Sequence, residues 1–222
     1  MIIHSFAQHS DEWYNIRLGK FTASHAATIA TAGKGLETLC FDLVAEILTK
    51  QRKVAFQSPA MEQGNLLEEQ ARTLFELETG LTVEQVGFVE IDEFSGCSPD
   101  GLILNRTSGV EIKCPQDNTY AKYMYDGLIK PEYYAQMQMQ MLMLNANVWQ
   151  YAVFNPHFDK QLIIQEVKKD TGFQNKITAG LIKGKEMVNN ILAQINKNHP
   201  HTSQASDEEF WRDFTPQFDV RI

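Results

Sequence analysis

Apolar side chains return at positions 36, 39, 40, 43, 44, 47 and 48, the spacing of one helix face, and predict an amphipathic helix there. A second helical register runs through Leu67, Ala71, Leu74, Phe75 and Glu78, with Ser58-Pro59 as N-cap and first-turn proline and Gly80 as C-cap. Phe173, Ile177, Leu181, Val188, Ile191, Leu192 and Ile195 mark a closing helix, and residues 11–18 a short one that buries Trp13 and Ile16. Pro131 opens a helix rich in Met and Gln that extends to Leu144. Residues 81–91, 102–104, 110–114, 148–154 and 162–167 read as strands, with residues 105–109 as a turn between the second and third. The order predicts an α/β (mixed α+β) fold with a central mixed sheet flanked by helices, one domain over residues 1–222, and a flexible segment at about 197–208.

At 222 residues and 43% hydrophobic content the chain can bury a real core. No apolar run approaches the roughly 18 residues of a membrane span, and the start Met1-Ile2-Ile3-His4-Ser5 lacks the layout of an export signal, so a cytoplasmic protein is expected. Cys40, Cys97 and Cys114 are scattered and odd in number, which suggests neither a disulfide framework nor a zinc cluster. The net charge of −8 argues at first against a nucleic-acid partner. Its distribution changes that: residues 61–100 hold ten acids and one base, −9, so the remainder sums to +1. Such a body can grip phosphates on one face and cations on another, or can simply be an ordinary soluble surface.

The candidate chemistry lies in Gly96-Cys97-Ser98-Pro99-Asp100-Gly101, followed by Val110-Glu111-Ile112-Lys113-Cys114-Pro115. Residues two apart on a strand share a face, so Glu111 and Lys113 project together. If the hairpin folds about Arg106 and Thr107, Asp100 comes beside them. Two carboxylates and an ammonium suit phosphodiester hydrolysis, because hard oxygens bind Mg²⁺ and an ammonium can orient the attacking water or offset phosphate charge. The same residues also read as the wet face of a hairpin with a Pro-Asp-Gly turn.

Across residues 13–156 the chain resembles the PD-(D/E)xK nuclease superfamily and, within it, the lambda-exonuclease (YqaJ-like) family of viral recombination nucleases. Four ordered blocks carry the resemblance: Trp13 with Ile16-Arg17-Leu18-Gly19-Lys20 and Thr22-Ala23-Ser24; Gly64, Glu68, Ala71-Arg72 and Phe75; Ser98-Pro99-Asp100-Gly101 with Glu111-Ile112-Lys113-Cys114-Pro115; and Tyr134-Ala135-Gln136-Met137-Gln138. It implies a restriction-endonuclease-like core. It also implies a Mg²⁺ site, two ions with Mn²⁺ able to substitute, held by Asp100, Glu111 and the Ile112 backbone carbonyl. Glu68 would face the metals, Lys113 would act on the water, and Gln136 would lie near the scissile phosphate. By residue type alone Arg17 could be a surface partner of Glu12 and Ser24 a helix cap; the resemblance makes them the anchor for a 5′-terminal phosphate. Lys34 matches a DNA-contacting cation and Met61 an apolar wedge at the terminal base pair. The implied activity is 5′→3′ degradation of one strand of double-stranded DNA from a 5′-phosphorylated end. It would be carried out by a ring-shaped homotrimer with a single-strand annealing protein, in phage-type recombination in the cytoplasm of a bacterial host. An endonuclease of the same superfamily, or a catalytically silent DNA-binding module, are the alternatives; the chain retains every member of the catalytic set. Beyond Pro156 the match is loose.

Overall fold

The computed structural model describes residues 1–52, 59–103 and 106–200, with residues 59–63 and 65 as backbone alone. In chain order the elements are β1 (Ile2–His4), α1 (Asp11–Arg17), β2 (Phe21–Thr22), a 3-10 turn (Ala23–His25), α2 (Ala26–Thr31), α3 (Lys34–Thr49) and α4 (Pro59–Thr79). There follow β3 (Phe88–Asp92), β4 (Ser95–Cys97), β5 (Gly101–Ile103), β6 (Ser108–Lys113), α5 (Asp117–Asp126), α6 (Pro131–Leu144), β7 (Val148–Phe154), β8 (Leu162–Lys168) and α7 (Thr171–Asn198).

The expected mixed sheet is present, but as two four-stranded sheets, ordered β1-β3-β4-β2 and β5-β6-β7-β8. Each joins antiparallel pairs to one parallel pair, β2 with β4 and β6 with β7. The chain steps from one sheet to the other across Ser98, Pro99 and Asp100, so the aspartate singled out in the sequence stands at their junction.

Strand β6 is buried on both sides, as a parallel neighbour flanked by helices should be. Val110 and Ile112 pack with Ala71 and Phe75 of α4 in a smaller core cluster. The larger cluster gathers α3, α6 and α7 around Phe21, Trp149 and the fully buried Met137, Met139 and Met141. Helix α7 crosses α2 and α3 closely because of two glycines one turn apart. A Cβ on Gly180 would lie 1.9 Å from the Ile29 carbonyl oxygen, and one on Gly184 2.7 Å from the Phe21 ring.

The strand expected over 81–91 begins only at Phe88. Its first half is held otherwise, by a single bridge from Glu84 to Leu102 and by the Val83 N–H on the Glu76 carboxylate. Helix α7 runs to Asn198, so Lys197 and Asn198 of the segment expected to be flexible are helical. The remainder of that segment beyond residue 200, the cap at Ser58 and the strand end at Leu104 lie outside the described residues. Among the described residues no helix is long and apolar enough to cross a membrane.

Candidate active site

The β5–β6 hairpin pairs Gly101 with Val110, which sets Asp100 one step further on, abreast of Glu111. The register is pinned by Asp100 itself, whose Oδ2 accepts the Ile112 backbone N–H at 2.7 Å. Glu111 is not on a wet face: its side chain is wholly buried, which removes the hairpin-surface reading. Its Oε1 accepts from the Lys113 ammonium, and its Oε2 accepts from Gln140 Nε2 at 3.0 Å. Lys113 keeps a partly exposed side chain and stands 5.0 Å from the Tyr133 ring centroid.

Gln140 is a site residue that the sequence reading missed. It follows Gln136 by one turn of α6, the i,i+4 spacing that places two side chains on one helix face. Gln136 lines the cleft while Gln140 grips Glu111 from behind. Gln138, between them, faces the other way: its amide donates to the Lys168 carbonyl and accepts from the Asp170 N–H, fastening β8 to the start of α7. Gln140→Met keeps the volume and suits a helix already packed with methionine. Loss of a hydrogen bond to a charged group, about 1.5 kcal/mol or more, should slow single-turnover cleavage roughly tenfold with substrate affinity unchanged. A weaker affinity at an unchanged rate would count against this positioning role.

Glu68, on α4, reaches the same cleft and is bonded to Arg72 one turn on. Burial and then the Asp100 charge raise its carboxyl to about 7, against the pull of Arg72 and Lys113. Glu111 is raised to about 7 in the same way, by burial and then by Asp100. Burial alone would lower Lys113, yet Glu111 and Asp100 hold its ammonium well above the ordinary lysine value. Burial first, and the neighbouring Asp100 charge second, make the glutamates resist ionising in spite of Arg72 on Glu68 and Lys113 on Glu111, while Glu111 and Asp100 keep the lysine protonated.

The opposite wall is built by α1. Trp13 is buried, its Nε1 donating to Ser98 Oγ at 2.9 Å, and Arg17 lies 4.1 Å over its ring and donates to the same oxygen at 3.0 Å. Burial lowers Arg17 to about 10, which leaves it cationic at neutral pH. Arg17 is therefore bonded to Ser98 rather than to Glu12. Ser24, exposed at the cleft, shares a 3.0 Å hydrogen bond with Thr22 and does not cap a helix. Ser98 and His9 were also missed. Ser98 sits in the Ser-Pro-Asp block two residues before Asp100, and His9 two before the helix that carries Trp13.

Gln8, His9, Trp13, Arg17, Ser24, Glu68, Ser98, Asp100, Ile112, Lys113, Tyr133 and Gln136 thus line one cleft of about 880 Å³, within the range of ligand sites. Lys34, exposed at the start of α3, is not among its walls, and the Met61 side chain lies outside the described residues. The donor chemistry fits a hard divalent cation in type, since Asp100 and Glu68 offer carboxylate oxygens at the cleft wall and Glu111 carries a third, buried one beside Lys113. The buried Gln140 Oε1, on the amide that grips Glu111, adds an oxygen acceptor with no partner among the described residues. Among the described residues no three His, Cys, Asp or Glu side chains converge on one point. The carboxylates are turned to Arg72, to Lys113 and Gln140, and to the Ile112 N–H.

Residues 12–147 match the family model of the YqaJ-like viral recombinase domain. Among solved structures, LHK-Exo in complex with dAMP is 27% identical, with a TM-score of 0.80 over 87% of this chain and 100% of that one. The alkaline exonuclease LHK-Exo from Laribacter hongkongensis is 28% identical, with a TM-score of 0.74 over 85% and 99%. A phage related exonuclease from Haemophilus somnus 129PT, 16% identical with a TM-score of 0.61 over 79% and 96%, shares the fold. No curated protein matches the chain by sequence.

Proposed function

The chain belongs to the YqaJ-like viral recombinase family and is a nuclease, and we propose that it removes nucleotides in the 5′→3′ direction from one strand of duplex DNA, starting at a 5′-phosphorylated end. The observation that carries the reading is the shared cleft: Asp100, Glu68 and Lys113 on one wall and the basic corner of Arg17 on the other open onto the same space, with the carboxylate of Glu111 buried behind Lys113. A strand whose terminal phosphate rests against Arg17 and Ser24 would lay its next phosphodiester across the acids. The neighbour that binds dAMP holds a nucleoside monophosphate, the product such a reaction releases.

Asp100 and Glu111 would hold Mg²⁺ or Mn²⁺, with the Ile112 carbonyl beside them and Glu68 joining once released from Arg72; two ions are expected per site. A cation held there would supply a more acidic water and shield charge on the phosphoryl oxygens. Lys113, an ammonium beside Glu111, donates to that water or to the phosphate, and Gln136 orients the phosphodiester from α6. The water oxygen bonds to phosphorus as the bond to the 3′ oxygen breaks. The first nucleotide leaves with a 3′-hydroxyl, and its neighbour gains the new 5′-phosphate. Each turnover therefore regenerates the group that Arg17 grips. A ring of three copies and a single-strand annealing partner, in phage-type recombination, belong to the same proposal. A ring reconciles the net charge of −8 with DNA binding, because only its channel need be positive.

The test is to incubate the pure protein and Mg²⁺ with linear duplex bearing or lacking 5′-phosphate and with closed circular duplex. Fast loss of the phosphorylated linear form, slower loss of the unphosphorylated one and an intact circle are expected. Cutting of the circle at the same rate would assign an endonuclease instead.

A further inference from the structure

His9 lies at the cleft wall in a backbone conformation that costs most side chains energy. Its φ is +68°, the left-handed region that glycine enters freely. The segment is fixed on both sides of it. Gln8 Nε2 donates to the Val86 and Pro99 carbonyls at 3.1 and 2.9 Å, tying the turn to the loop that carries Asp100. On the other side, Ser10 Oγ accepts the Trp13 N–H and caps α1. Held so, the imidazole rests on Trp13 with ring centroids 4.9 Å apart, on the same indole that Arg17 covers, and remains exposed at the cleft. A side chain needed only to cover Trp13 has no reason to be held in this conformation at the rim of the cleft that Arg17 also lines.

We propose that His9 is a specificity-determining contact of the cleft, donating a ring N–H to the 5′-terminal phosphate beside the Arg17 guanidinium. The inference rests on the terminal-phosphate reading above and adds a second donor to it. Arg17 spends one nitrogen on Ser98, so its free edge covers only part of a phosphate's oxygens. An imidazole carried on the same indole supplies a donor from a second direction, as a terminal phosphate with three free oxygens can use. Trp13 then serves as the common floor that holds both donors.

His9→Gly and His9→Asn, residues that adopt the left-handed region readily, separate a binding role from a structural one. In an Asp100→Asn background without divalent cations, where turnover of the probe is slowed most, affinity is read by fluorescence anisotropy on a short labelled duplex with 5′-phosphate and on its 5′-hydroxyl twin. Both variants should melt at or above the parental temperature, bind the phosphorylated duplex roughly tenfold more weakly, and bind the hydroxyl duplex as before. Equal weakening on both duplexes, or a lower melting temperature with unchanged affinities, overturns the proposal. A parental protein that does not distinguish the duplexes overturns the terminal-phosphate reading itself. Parental preference that survives in both variants overturns the role of His9 alone.

Discussion

Asp100→Asn leaves a folded protein that cleaves duplex DNA roughly a hundred- to a thousand-fold more slowly, the range for removing one preorganised charged group from a hydrolytic centre. The amide oxygen can still accept the Ile112 N–H, so the β5–β6 tie survives. What disappears is the charge that helps to raise Glu68 and Glu111. The sign of the stability effect follows. A carboxyl whose folded value lies above its ordinary 4.5 contributes stability that is complete below that value and lost as pH rises through about 7. Without divalent cations the native protein should therefore lose melting temperature between pH 5 and pH 8, and Asp100→Asn should lose less. Its advantage over the native chain appears at the higher pH. A variant that melts well below the native protein at both pH values would make Asp100 a brace of the hairpin rather than a member of a charged centre.

Of the helices legible in the sequence, α1, α3, α4 and α7 show through one apolar face, because a period of 3.6 leaves its mark when only one side is buried, and α6 shows through the proline that opens it. Helix α5 went unseen although Tyr120 and Tyr123 keep helical spacing, since its other side presents Tyr125, Met124 and Lys122 to solvent and blurs the contrast. Strands β1, β2 and β4 are two or three residues long and owe their existence to each other, so no local pattern announces them. The sequence did place Asp100, Glu111 and Lys113 together, since the spacing of a hairpin is a local property. It could not reveal that the cluster is buried. Burial of Glu111 depends on Gln140 of α6 and on β7 packing beside β6, contacts made across roughly thirty to forty residues of chain. Nor could spacing show that the acidic stretch is neutralised from afar, by Lys185 on Asp92, Lys20 on Glu90 and Arg106 on Glu84. Among the described residues of 61–100, Glu68 and Asp100 are the acids that line the cleft.

The second large effect is expected at the opposite end of the cleft. Arg17→Ala should abolish the preference for 5′-phosphorylated ends, lowering initial rates on phosphorylated linear duplex about ten- to a hundred-fold while rates on the 5′-hydroxyl duplex change little. The guanidinium is half-buried against Trp13 and bonded to Ser98, so it is presented in one orientation and little entropy is lost when a phosphate arrives. Arg17→Lys should not restore the preference, because a point charge replaces a planar fork and the stacking on the indole is lost. The same burial means that truncating Arg17 also loosens Trp13, and a rate loss could then come from a damaged wall. Ser24→Ala resolves this: the hydroxyl is exposed, its removal leaves the core untouched, and a several-fold fall in preference without a change in melting temperature is expected. Equal loss on both linear substrates in Arg17→Ala, with Ser24→Ala behaving as the native protein, would move the terminal phosphate away from this corner. The acid cluster would then remain as the only part of the cleft with a role in cleavage.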